Sequence, residues 1–588
     1  MSEENPQTGI SDRSKRKRKK SFLKNARKYA KKGCYGRGSQ LDSDTYNYFV
    51  RIMEAYREGF DTDEDKSIFV NNVFEQTVGQ EINLCCNQVG CRVVEMLVPF
   101  ANEAVLERFM QTFGGDLRPL CSDRFASHVL EALVRQAASH SLNSENKDEF
   151  KQNCKEFVLK VSRFLLNNLE DYLWDTYGSH VVRTCLESLV QIPKENKQKN
   201  CAKIEEKVIK VELPEEYLEI IKDCCERIMH WPQFNELCQS EISSGFLQVL
   251  LRALRRADKK LLKKLLGKLI ETNFAPEGDQ DGKNKLSSGF LSTPSVMVLE
   301  TALEVAKAKS FSQIFLKCFS GNLAKLATTR STNFTVQKLI LNCKEKSEFE
   351  MIFEELDNSF GEIIGAGHTG IVWALAQGCK TFTTKQGSFV QNLMKSLNCF
   401  DPEERQNDFI LCLSKFTTFE KYKMESQENL QKDKLNLHGT LILQLLLEFN
   451  KPIKIVNGIL NMEQNLLKAL FSNTMGSHVV DSFVKSVFVG EKSRERLVRK
   501  MKGVYQELAS TKYGSRSFEA IWNAANLKNK LSIMEELAYK DAAWSNSEHG
   551  KIIAGKVNLL LYKRNKEEWK NSGGSVNKAK ELFADILK

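Results

Sequence analysis

Apolar residues recur along the chain at helical spacing, in short blocks that follow small residues. In the stretch "YGSHVVRTCLESL" (177–189), one face of an α-helix is formed by the residues at i, i+1, i+4, i+5 and i+8, namely Val181, Val182, Cys185, Leu186 and Leu189. One helix cannot bury such a face alone, but stacked neighbouring helices can. The pattern therefore predicts an all-α chain of stacked helices.

This block is one of eleven copies of a pattern: two small residues, then His or Arg, two mostly apolar residues and a polar one. Clear copies are "VGCRVVEMLV" (89–98), "FASHVLEALV" (125–134), "MGSHVVDSFV" (475–484) and "YGSRSFEAIW" (513–522), and weaker ones lie between them. The residues that align with Gly178 are, from copy 1 to copy 11, Gly90, Ala126, Gly178, Ser243, Ser295, Thr332, His368, Gly439, Gly476, Gly514 and His549. Six of the ten intervals are 35 to 38 residues long. Such a period predicts a curved α-solenoid of about eleven helical repeats.

Each copy has a three-residue slot, which consists of the first, second and fifth residues after the aligned residue. The first and fifth residues lie one helical turn apart on the same face of the helix, so together they can contact the edge of a planar group. The second residue projects to one side of this face, where its side chain can stack on the flat face of such a group. The slots are Cys91, Arg92 and Glu95; Ser127, His128 and Glu131; Ser179, His180 and Arg183; Asn333, Phe334 and Gln337; Ser477, His478 and Asp481; and Ser515, Arg516 and Glu519. Repeated along a solenoid, this arrangement predicts binding of one RNA base per copy.

The Ser-His pairs of copies 2, 3 and 9 do not predict catalysis. Adjacent helical residues point about 100° apart, and no "GxSxG" elbow accompanies the pairs. The sixteen cysteines lack paired zinc spacing, and Cys85, Cys86, Cys91, Cys185 and Cys225 lie in or beside apolar helical patterns, as free cysteine does in a reducing compartment. We therefore expect a non-enzyme with no metal, no cofactor and no small-molecule substrate.

Basic residues are concentrated at the amino-terminal end. Residues 1–32 hold 12 of the 86 Lys and Arg and three of the 75 acidic residues, so the remainder, with 74 basic and 72 acidic residues, is close to neutral. A basic arm of this kind predicts disorder and a role in nuclear or nucleolar import, in contact with RNA phosphates, or in both, and a merely solubilising tail is the alternative. The start is too polar for a secretory signal, and the longest apolar run, at 441–449, is too short for a bilayer, so no membrane partner is expected.

The slot register resembles that of Pumilio-type RNA-binding repeats. By this resemblance, Ser with Glu implies guanine, as in Ser127 with Glu131 and Ser515 with Glu519, and Asn333 with Gln337 implies uracil beside the stacking Phe334. Ser179 with Arg183 and Ser477 with Asp481 depart from that code, and two middle slots, Ser244, Gly245 and Gln248 and Thr369, Gly370 and Trp373, lack a stacking residue.

The copy number, the basic arm, the insertions and the lead-in "TYNYFVRIMEAYREGF" together resemble the nucleolar protein nine family, a divergent Pumilio-type branch. This resemblance implies a protein of the nucleus and nucleolus that binds precursor ribosomal RNA on the concave solenoid face, with pre-ribosomal particle proteins as partners, in small (40S) subunit biogenesis. Two alternatives stay open: a Pumilio-type regulator of messenger RNA and an armadillo-like protein-binding scaffold. The expected organisation is a basic disordered arm at 1–44, the solenoid at 45–570 and a helical cap at 571–588.

Overall fold

The computed structural model describes residues 22–571, apart from residues 31, 32, 34, 36, 144, 193–211, 275, 276, 279–283, 425–434, 540 and 541. Residues 1–21 of the predicted arm lie outside the described residues, and so does the predicted cap except for Asn571. Within the described ranges, no helix combines the length and the apolar character needed to cross a membrane.

The chain forms two units, of which the first is Met1–Leu269. Its described α-helices are Phe22–Ala30, Ser43–Glu58, Asp63–Glu75, Glu81–Cys85, Gln88–Leu97, Glu103–Gly115, Leu117–Ser122, Ala126–Ser141, Asp148–Asn167, Leu169–Tyr172, Gly178–Leu189, Glu215–Met229, Phe234–Gln239, Ser244–Ala257 and Lys259–Leu269. A 3₁₀ turn lies at Val98–Phe100.

The second unit is Ile270–Lys588. Its described α-helices are Thr293–Val305, Ala308–Ile314, Leu323–Thr328, Asn333–Asn342, Lys346–Leu356, Phe360–Gly365, Thr369–Thr381, Gln386–Ser396, Phe409–Lys415, Phe419–Met424, Leu437–Leu447, Ile453–Asn461, Gln464–Phe471, Ser477–Lys485, Glu491–Lys500, Tyr505–Ser510, Lys512–Ala524, Leu527–Ala538, Ala542–Ser545, Glu548–Lys556, Leu559–Arg564 and Lys566–Asn571. Shorter elements are π-helical turns at Ile270–Phe274 and Phe315–Phe319, 3₁₀ turns at Ser288–Leu291, Asp357–Ser359 and Glu403–Asp408, and an antiparallel ladder of Glu277–Gly278 with Asn284–Lys285. The all-α prediction is confirmed, since this two-residue ladder and one bridge between Gly38 and Asn87 are the β structure of the described residues.

The helices that carry the slots, called slot helices below, pack on one another in chain order within each unit. In the first unit the order is Gln88–Leu97, Ala126–Ser141, Gly178–Leu189 and Ser244–Ala257. In the second unit it is Thr293–Val305, Asn333–Asn342, Thr369–Thr381, Leu437–Leu447, Ser477–Lys485, Lys512–Ala524 and Glu548–Lys556. An outer layer follows the same order, as in the first unit, where the helix Asp148–Asn167 packs between Glu103–Gly115 and Glu215–Met229. Each predicted copy therefore supplies one slot helix to a stack.

In copies 1 to 5, 8 and 9, a side chain three positions before the aligned residue accepts a hydrogen bond from the backbone N–H of that residue. In copy 2, Oδ1 of Asp123 accepts hydrogen bonds from the backbone N–H groups of Phe125 at 2.8 Å and Ala126 at 2.7 Å. The equivalent side chains in other copies are Asn87, Asp175, Ser240, Ser292, Asn436 and Asn473. These bonds satisfy backbone N–H groups at the start of the helix that lack partners within it, so they stabilise the amino-terminal ends of these slot helices.

The aligned residue is small because the backbone passes very close to it. Gly476 and Gly90 face the carbonyl oxygens of Leu470 and Leu84, six residues earlier in each case. A Cβ atom at either glycine would lie far inside the van der Waals distance of that oxygen. Glycine here permits a close approach of two backbones, which packs the slot helix against the short helix before it.

Other copies use the same carbonyl position as a hydrogen-bond acceptor. The hydroxyl of Ser243 donates to the carbonyl oxygen of Leu237 at 3.0 Å, and that of Thr332 donates to the carbonyl oxygen of Leu326 at 2.7 Å. Both acceptors again lie six residues before the aligned residue. The recurring small residue is thus explained by packing, independently of any ligand.

We expect Gly476→Ala to lower the free energy of unfolding by at least about 1 kcal/mol, because the added methyl group forces two backbone segments apart. Chemical denaturation of the purified protein measures this change. The control is Gly387→Ala, since Gly387 lies in the helix Gln386–Ser396 with nothing within 4 Å of its Cβ direction. Equal stability of the two variants would contradict the close-packing explanation.

The aligned residue of copy 11 is Gly550, so the prediction of His549 is wrong by one position. Oγ of Ser547 accepts from the backbone N–H of Gly550 at 2.9 Å, and Gly550 packs against the carbonyl oxygen of Trp544. The cap three residues earlier and the carbonyl six residues earlier are the two contacts that define the aligned position in other copies. The capping bond, and not the letter pattern, sets the register.

Part of the predicted disordered arm is a packed helix. The helix Phe22–Ala30 contacts the helix Ser43–Glu58, and Ala26 is buried in that contact. The Tyr46 hydroxyl donates to the carbonyl oxygen of Ala26 at 3.4 Å, and Arg27 pairs with Glu54. The prediction of disorder up to residue 44 is therefore wrong for Phe22–Ala30, because this helix packs against the helix Ser43–Glu58.

Candidate nucleic-acid interface

The three slot positions differ in exposure. Side chains at the second position lie on the surface: Arg92, His128, His180, Phe334 and Arg516 are exposed, and His478 is half-buried. First-position residues are buried, namely Cys91, Ser127, Ser179, Asn333 and Ser477, with Ser515 half-buried. At the fifth position Glu131 is buried, whereas Glu95, Arg183, Gln337, Asp481 and Glu519 are half-buried. The second position is thus the most accessible one for a ligand.

First-position side chains bond to nearby backbone carbonyls. Ser179, Ser477 and Ser515 donate to the carbonyl three residues earlier, at 3.4, 3.3 and 3.0 Å, and Asn333 donates to the carbonyl of Arg330 at 2.7 Å. The three serine hydroxyls therefore offer acceptor capacity to a base edge, whereas the Asn333 amide, which has two N–H groups, also has a second donor.

The Ser127–Glu131 slot of copy 2 has its carboxylate engaged within the protein. Arg135 and the hydroxyl of Thr184, which lies on the next slot helix, both donate to Oε2 of Glu131 at 2.7 Å. His128 Nδ1 lies 3.6 Å from Oε1. Burial alone would raise the pKa of Glu131, but hydrogen bonds from His128 and Thr184 and the charge of Arg135 lower it to about 2.

The Ser515–Glu519 slot of copy 10 contrasts with copy 2. Glu519 is half-buried and pairs with Lys556 at 2.6 Å, and that lysine is itself exposed. An exposed ion pair is easily exchanged for another partner because solvent screens it. Of the two predicted guanine slots, copy 10 therefore has the more available carboxylate.

Two neighbouring stacking histidines differ electrostatically. The hydrogen bond to Glu131 raises the pKa of His128, while burial and the nearby Arg183 lower the pKa of His180. The ring of His128 therefore stays charged to a higher pH than the ring of His180.

The predicted uracil slot of copy 6 brings its two amide side chains into contact. Gln337 Nε2 donates to Asn333 Oδ1 at 3.1 Å, which links the two predicted edge-reading amides. Phe334 beside them is 64% exposed. A large aromatic ring in water, next to two amides on one helical turn, is suited to stacking on a base.

A cavity of about 370 Å³ joins copies 1 and 2 in the first unit. All three slot residues of copy 1, Cys91, Arg92 and Glu95, line it together with His128 of copy 2. Cys91 Sγ lies 3.0 Å from the carbonyl oxygen of Phe125, and Arg92 lies 3.4 Å from Glu95. The slots of adjacent copies therefore open into one shared space.

A second cavity of about 500 Å³ joins copies 8, 9 and 10 in the second unit. His478 and Asp481 line it with Arg516 of copy 10, whose Nε lies 3.6 Å from Asp481. The cavity also includes Lys485, 3.0 Å from Asp481, and the partly exposed ring of Phe488. Lys485 and Arg516 both lie close to Asp481. The cavity therefore combines the rings of His478 and Phe488 with two cationic side chains.

Several interface residues were missed by the slot pattern. Phe125 and Tyr177 directly precede the aligned residues of copies 2 and 3, and both line the first cavity. Tyr513 of copy 10 stands in the same register. The recurrence of an aromatic residue at this position was a usable signal.

Copy 7 supplies an aromatic surface from a different position than expected. Trp373, at the fifth position, stacks on His438, with 6.4 Å between ring centroids and 30° between planes. His438 Nδ1 is held by the hydroxyl of Thr369 at 2.8 Å. The slot that lacks a second-position stacking residue therefore still presents two half-buried rings.

Stacked copies of a slot helix and its supporting helices, with stacking-type side chains in register, define an α-helical repeat protein. Residues 79–552 match the profile of the NOP9-like PUF repeat domain. Nucleolar protein 9 of Homo sapiens is 26% identical over 585 residues, which covers 93% of this chain and 91% of the relative. Pumilio homolog 23 of Arabidopsis thaliana is 23% identical over 568 residues, covering 90% and 73%. The solved structure of APUM23 with GGAAUUGACGG has a TM-score of 0.71 at 20% identity and covers 91% of this chain and all of that chain.

The chain belongs to the NOP9-like PUF repeat family. The resemblance seen in the slot register is confirmed, and so is the helical solenoid fold. The family is one of PUF-repeat proteins and is not a known enzyme family, in agreement with the non-catalytic interpretation of the Ser-His pairs. The chain is a protein of the nucleus and nucleolus, as its relatives' name indicates.

Proposed function

We propose that this protein binds single-stranded RNA through its slot helices, with second-position side chains stacked between bases. The observation that carries the proposal is the register of exposed planar or cationic side chains on the slot helices, with Arg92, His128 and His180 on three helices that pack consecutively and Phe334 and Arg516 at the same position of copies 6 and 10. Bases have flat faces of about the size of these side chains, and each stacked base contributes ~1–3 kcal/mol. The eleven-nucleotide RNA in the APUM23 structure supports a ligand of this kind.

Within this function, the slots whose fifth-position side chains are half-buried and not held by a buried network carry the sequence preference. Asn333 with Gln337 is proposed to select uracil, and Ser515 with Glu519 to select guanine. The remaining slots, at copies 1, 2, 3 and 9, are proposed to bind through Arg92, His128, His180 and His478. Since the chain beyond residue 32 is nearly neutral, base contacts and not phosphate attraction supply most of the affinity there.

The RNA is proposed to be precursor ribosomal RNA, and the process to be maturation of the small (40S) subunit together with pre-ribosomal particle proteins. The nucleolar location and the relatives named nucleolar protein 9 support this choice. Crosslinking in cells followed by sequencing of the bound RNA tests it. Recovery of precursor ribosomal RNA supports the proposal, messenger untranslated regions would support the regulator of messenger RNA, and absence of RNA would support the protein scaffold.

Deletion of residues 1–21 is expected to disperse the protein from the nucleolus while leaving its thermal melting unchanged. These residues hold seven Lys and Arg, and the helix Phe22–Ala30, which packs on Ser43–Glu58, is kept intact. Fluorescence microscopy of tagged chains measures the location, and a chain with the seven basic residues changed to Gln is the matched variant. Undiminished nucleolar concentration in both chains would show that binding to RNA or protein, and not this segment, holds the protein there.

A further inference from the structure

The outer-layer helix Lys259–Leu269 has one apolar face and one face made of lysines. Its leucines are buried, namely Leu261, Leu262, Leu265, Leu266 and Leu269. Four lysines on the opposite face are exposed, namely Lys259, Lys260, Lys263 and Lys264, and these four residues are called the lysine stripe below. The helix packs on the outer helix Glu215–Met229 and on the slot helix Ser244–Ala257. Because the leucines form these contacts, the lysine stripe faces away from the slots.

Positive charge is concentrated around this helix. Residues 255–268 hold seven Lys and Arg and one acidic residue, Asp258, whereas the whole of residues 33–588 has 74 basic and 72 acidic residues. The carboxylate of Asp258 serves the start of the helix, since its Oδ1 accepts from the backbone N–H groups of Lys260 at 2.7 Å and Leu261 at 3.0 Å. The segment is thus far more basic than the repeats around it.

Lysines of other outer helices are tied to a neighbouring copy by ion pairs. Lys155 lies 2.7 Å from Glu216, and Lys385 lies 2.7 Å from Glu354. Within the described part of the chain, the lysine stripe forms no ion pair, although the adjacent helix Glu215–Met229 carries exposed carboxylates. Its ammonium groups are therefore not used to join one copy to the next.

The lysine stripe does not stabilise the helix that carries it. Lys259 with Lys263 and Lys260 with Lys264 are like charges one turn apart, and such pairs repel each other on a helix. Lys259 and Lys260 also lie in the first turn, where the helix dipole disfavours positive charge. The fold therefore gives no reason for these charges, and a negatively charged ligand does.

We propose that the lysine stripe is a second RNA-binding surface, which binds the phosphates of an RNA segment outside the slots irrespective of its sequence. Lysine ammonium groups bind phosphate oxygens as point charges and do not read a base. The stripe is about 8 Å long at ~1.5 Å per residue, so it can contact a few successive phosphates. This inference rests on the proposed function only in that the partner is RNA.

A protein partner fits the lysine stripe less well. The cores of protein interfaces are depleted in lysine and enriched in aromatic residues and arginine. The helix "KKLLKKLLGKL" has neither an aromatic residue nor an arginine, and its leucines are already buried in the fold. Phosphates, which attract charge alone, match this surface better.

The test compares three RNA probes by fluorescence anisotropy at salt concentrations of about 50 to 200 mM. The first probe is the tightest-binding sequence selected from a random single-stranded RNA pool, trimmed to the shortest length that keeps its affinity. The second and third probes extend this sequence by a single-stranded tail and by a duplex. The variant carries Lys259→Gln, Lys260→Gln, Lys263→Gln and Lys264→Gln in one chain.

We expect the wild-type protein to bind an extended probe more tightly than the trimmed one, with a steeper salt dependence. Four phosphate contacts change the slope of log affinity against log salt by about 3, which is an additional loss of about 50- to 150-fold across this salt range. The variant should lose this additional slope and bind the trimmed probe as the wild-type protein does. The extension that gives the gain shows whether the stripe binds single-stranded or duplex RNA.

Two further chains control for folding and for total charge. Arginine at the same four positions keeps the charge and should bind every probe as the wild-type protein does. Glutamine at Lys147, Lys151, Lys155 and Lys160 removes four charges from another outer segment and should leave the salt slope unchanged, since three of these lysines are paired within the chain. In circular dichroism melting, the stripe variant should be no less stable than the wild-type protein, because it loses like-charge repulsion.

Three results would overturn the inference and leave slot binding intact: extended and trimmed probes that bind the wild-type protein alike, a stripe variant that binds every probe as the wild-type protein does, or a stripe variant that melts earlier and loses affinity for all probes equally. If the pool yields no bound RNA, slot binding fails, and the duplex alone then tests the stripe. Lysine-dependent binding of that duplex would uphold the inference, and its absence would overturn it.

Discussion

Replacement of His128, His180 and His478 with alanine should weaken binding to single-stranded RNA by about 100-fold or more. Each ring is a proposed stacking surface worth ~1–3 kcal/mol, and the three slots lie on separate helices, so even partial additivity gives a large sum. His128 and His180 are exposed and His478 is half-buried beside the 500 Å³ cavity. Fluorescence anisotropy with the tightest-binding sequence selected from a random single-stranded RNA pool measures the loss.

The matched control for the triple variant is His230→Ala. His230 is exposed at the end of the helix Glu215–Met229, which belongs to the outer layer and carries no slot. We expect this variant to bind RNA as the wild-type protein does. A triple variant that melts earlier but keeps its RNA affinity would make the three histidines structural residues, and one that loses only a protein partner would favour the scaffold.

Glu131→Gln should lower the free energy of unfolding by about 3 kcal/mol at pH 7, with little change in base preference. The carboxylate is 10% exposed and neutralises Arg135 while it accepts from Thr184 of the next copy, so its loss leaves a partly buried arginine without a counter-ion. The lowering of its pKa from 4.5 to about 2 corresponds to a free energy of the same order. Denaturant unfolding monitored by circular dichroism measures the change.

The pH dependence of this effect has a definite sign. Because the folded-state pKa of Glu131 lies below its usual value, the stabilisation is complete above about pH 4.5 and is lost as the pH falls toward 2. The hydrogen bond to Glu131 raises the pKa of His128, so that contribution runs the other way: it is complete below the usual histidine value of 6.5 and is lost as the pH rises through the folded-state pKa. The wild-type protein should therefore lose its stability advantage over Glu131→Gln in acid.

Glu519→Gln is the internal comparison, since Ser515 with Glu519 repeats the residue pair of copy 2. Its exposed pair with Lys556 predicts a stability loss of no more than ~1 kcal/mol. Because this ion pair is exposed and the carboxylate can exchange Lys556 for a base, Glu519→Gln should also reduce the preference for guanine at one RNA position. A contradictory result would be that Glu131→Gln changes base preference and leaves stability unchanged. RNA would then replace Arg135 and Thr184 as the partner of Glu131, and copy 2 would select guanine.

Sequence reasoning succeeded where a property is local to one helix. The apolar face of Val181, Val182 and Cys185 and the exposure of His180 both follow from 3.6 residues per turn, and the structure has them as expected. The burial of Cys85, Cys91, Cys185 and Cys225 follows in the same way, whereas Cys86 is half-buried.

Properties that depend on two copies at once could not be read from the pattern. The sequence did not show that Glu131 accepts a hydrogen bond from Thr184, because the two residues are 53 positions apart. It also did not show that the space beside Gly245 is filled by Arg183, because that side chain comes from another helix. The cap at Asp123, by contrast, was visible in the sequence as a recurrent Asn, Asp or Ser three residues before the aligned residue.

Because each slot helix packs on the slot helices before and after it, a lesion in one copy should have a short range. Thermodynamically, such a stack behaves as a one-dimensional chain with nearest-neighbour coupling, in which a defect weakens its own position and two interfaces. Amide hydrogen exchange of Glu131→Gln should therefore speed up in the slot helices of copies 1, 2 and 3 and stay unchanged in the unit Ile270–Lys588. A substitution in one slot helix should therefore alter the stability of that copy and its two neighbours, and leave the slots of distant copies unchanged.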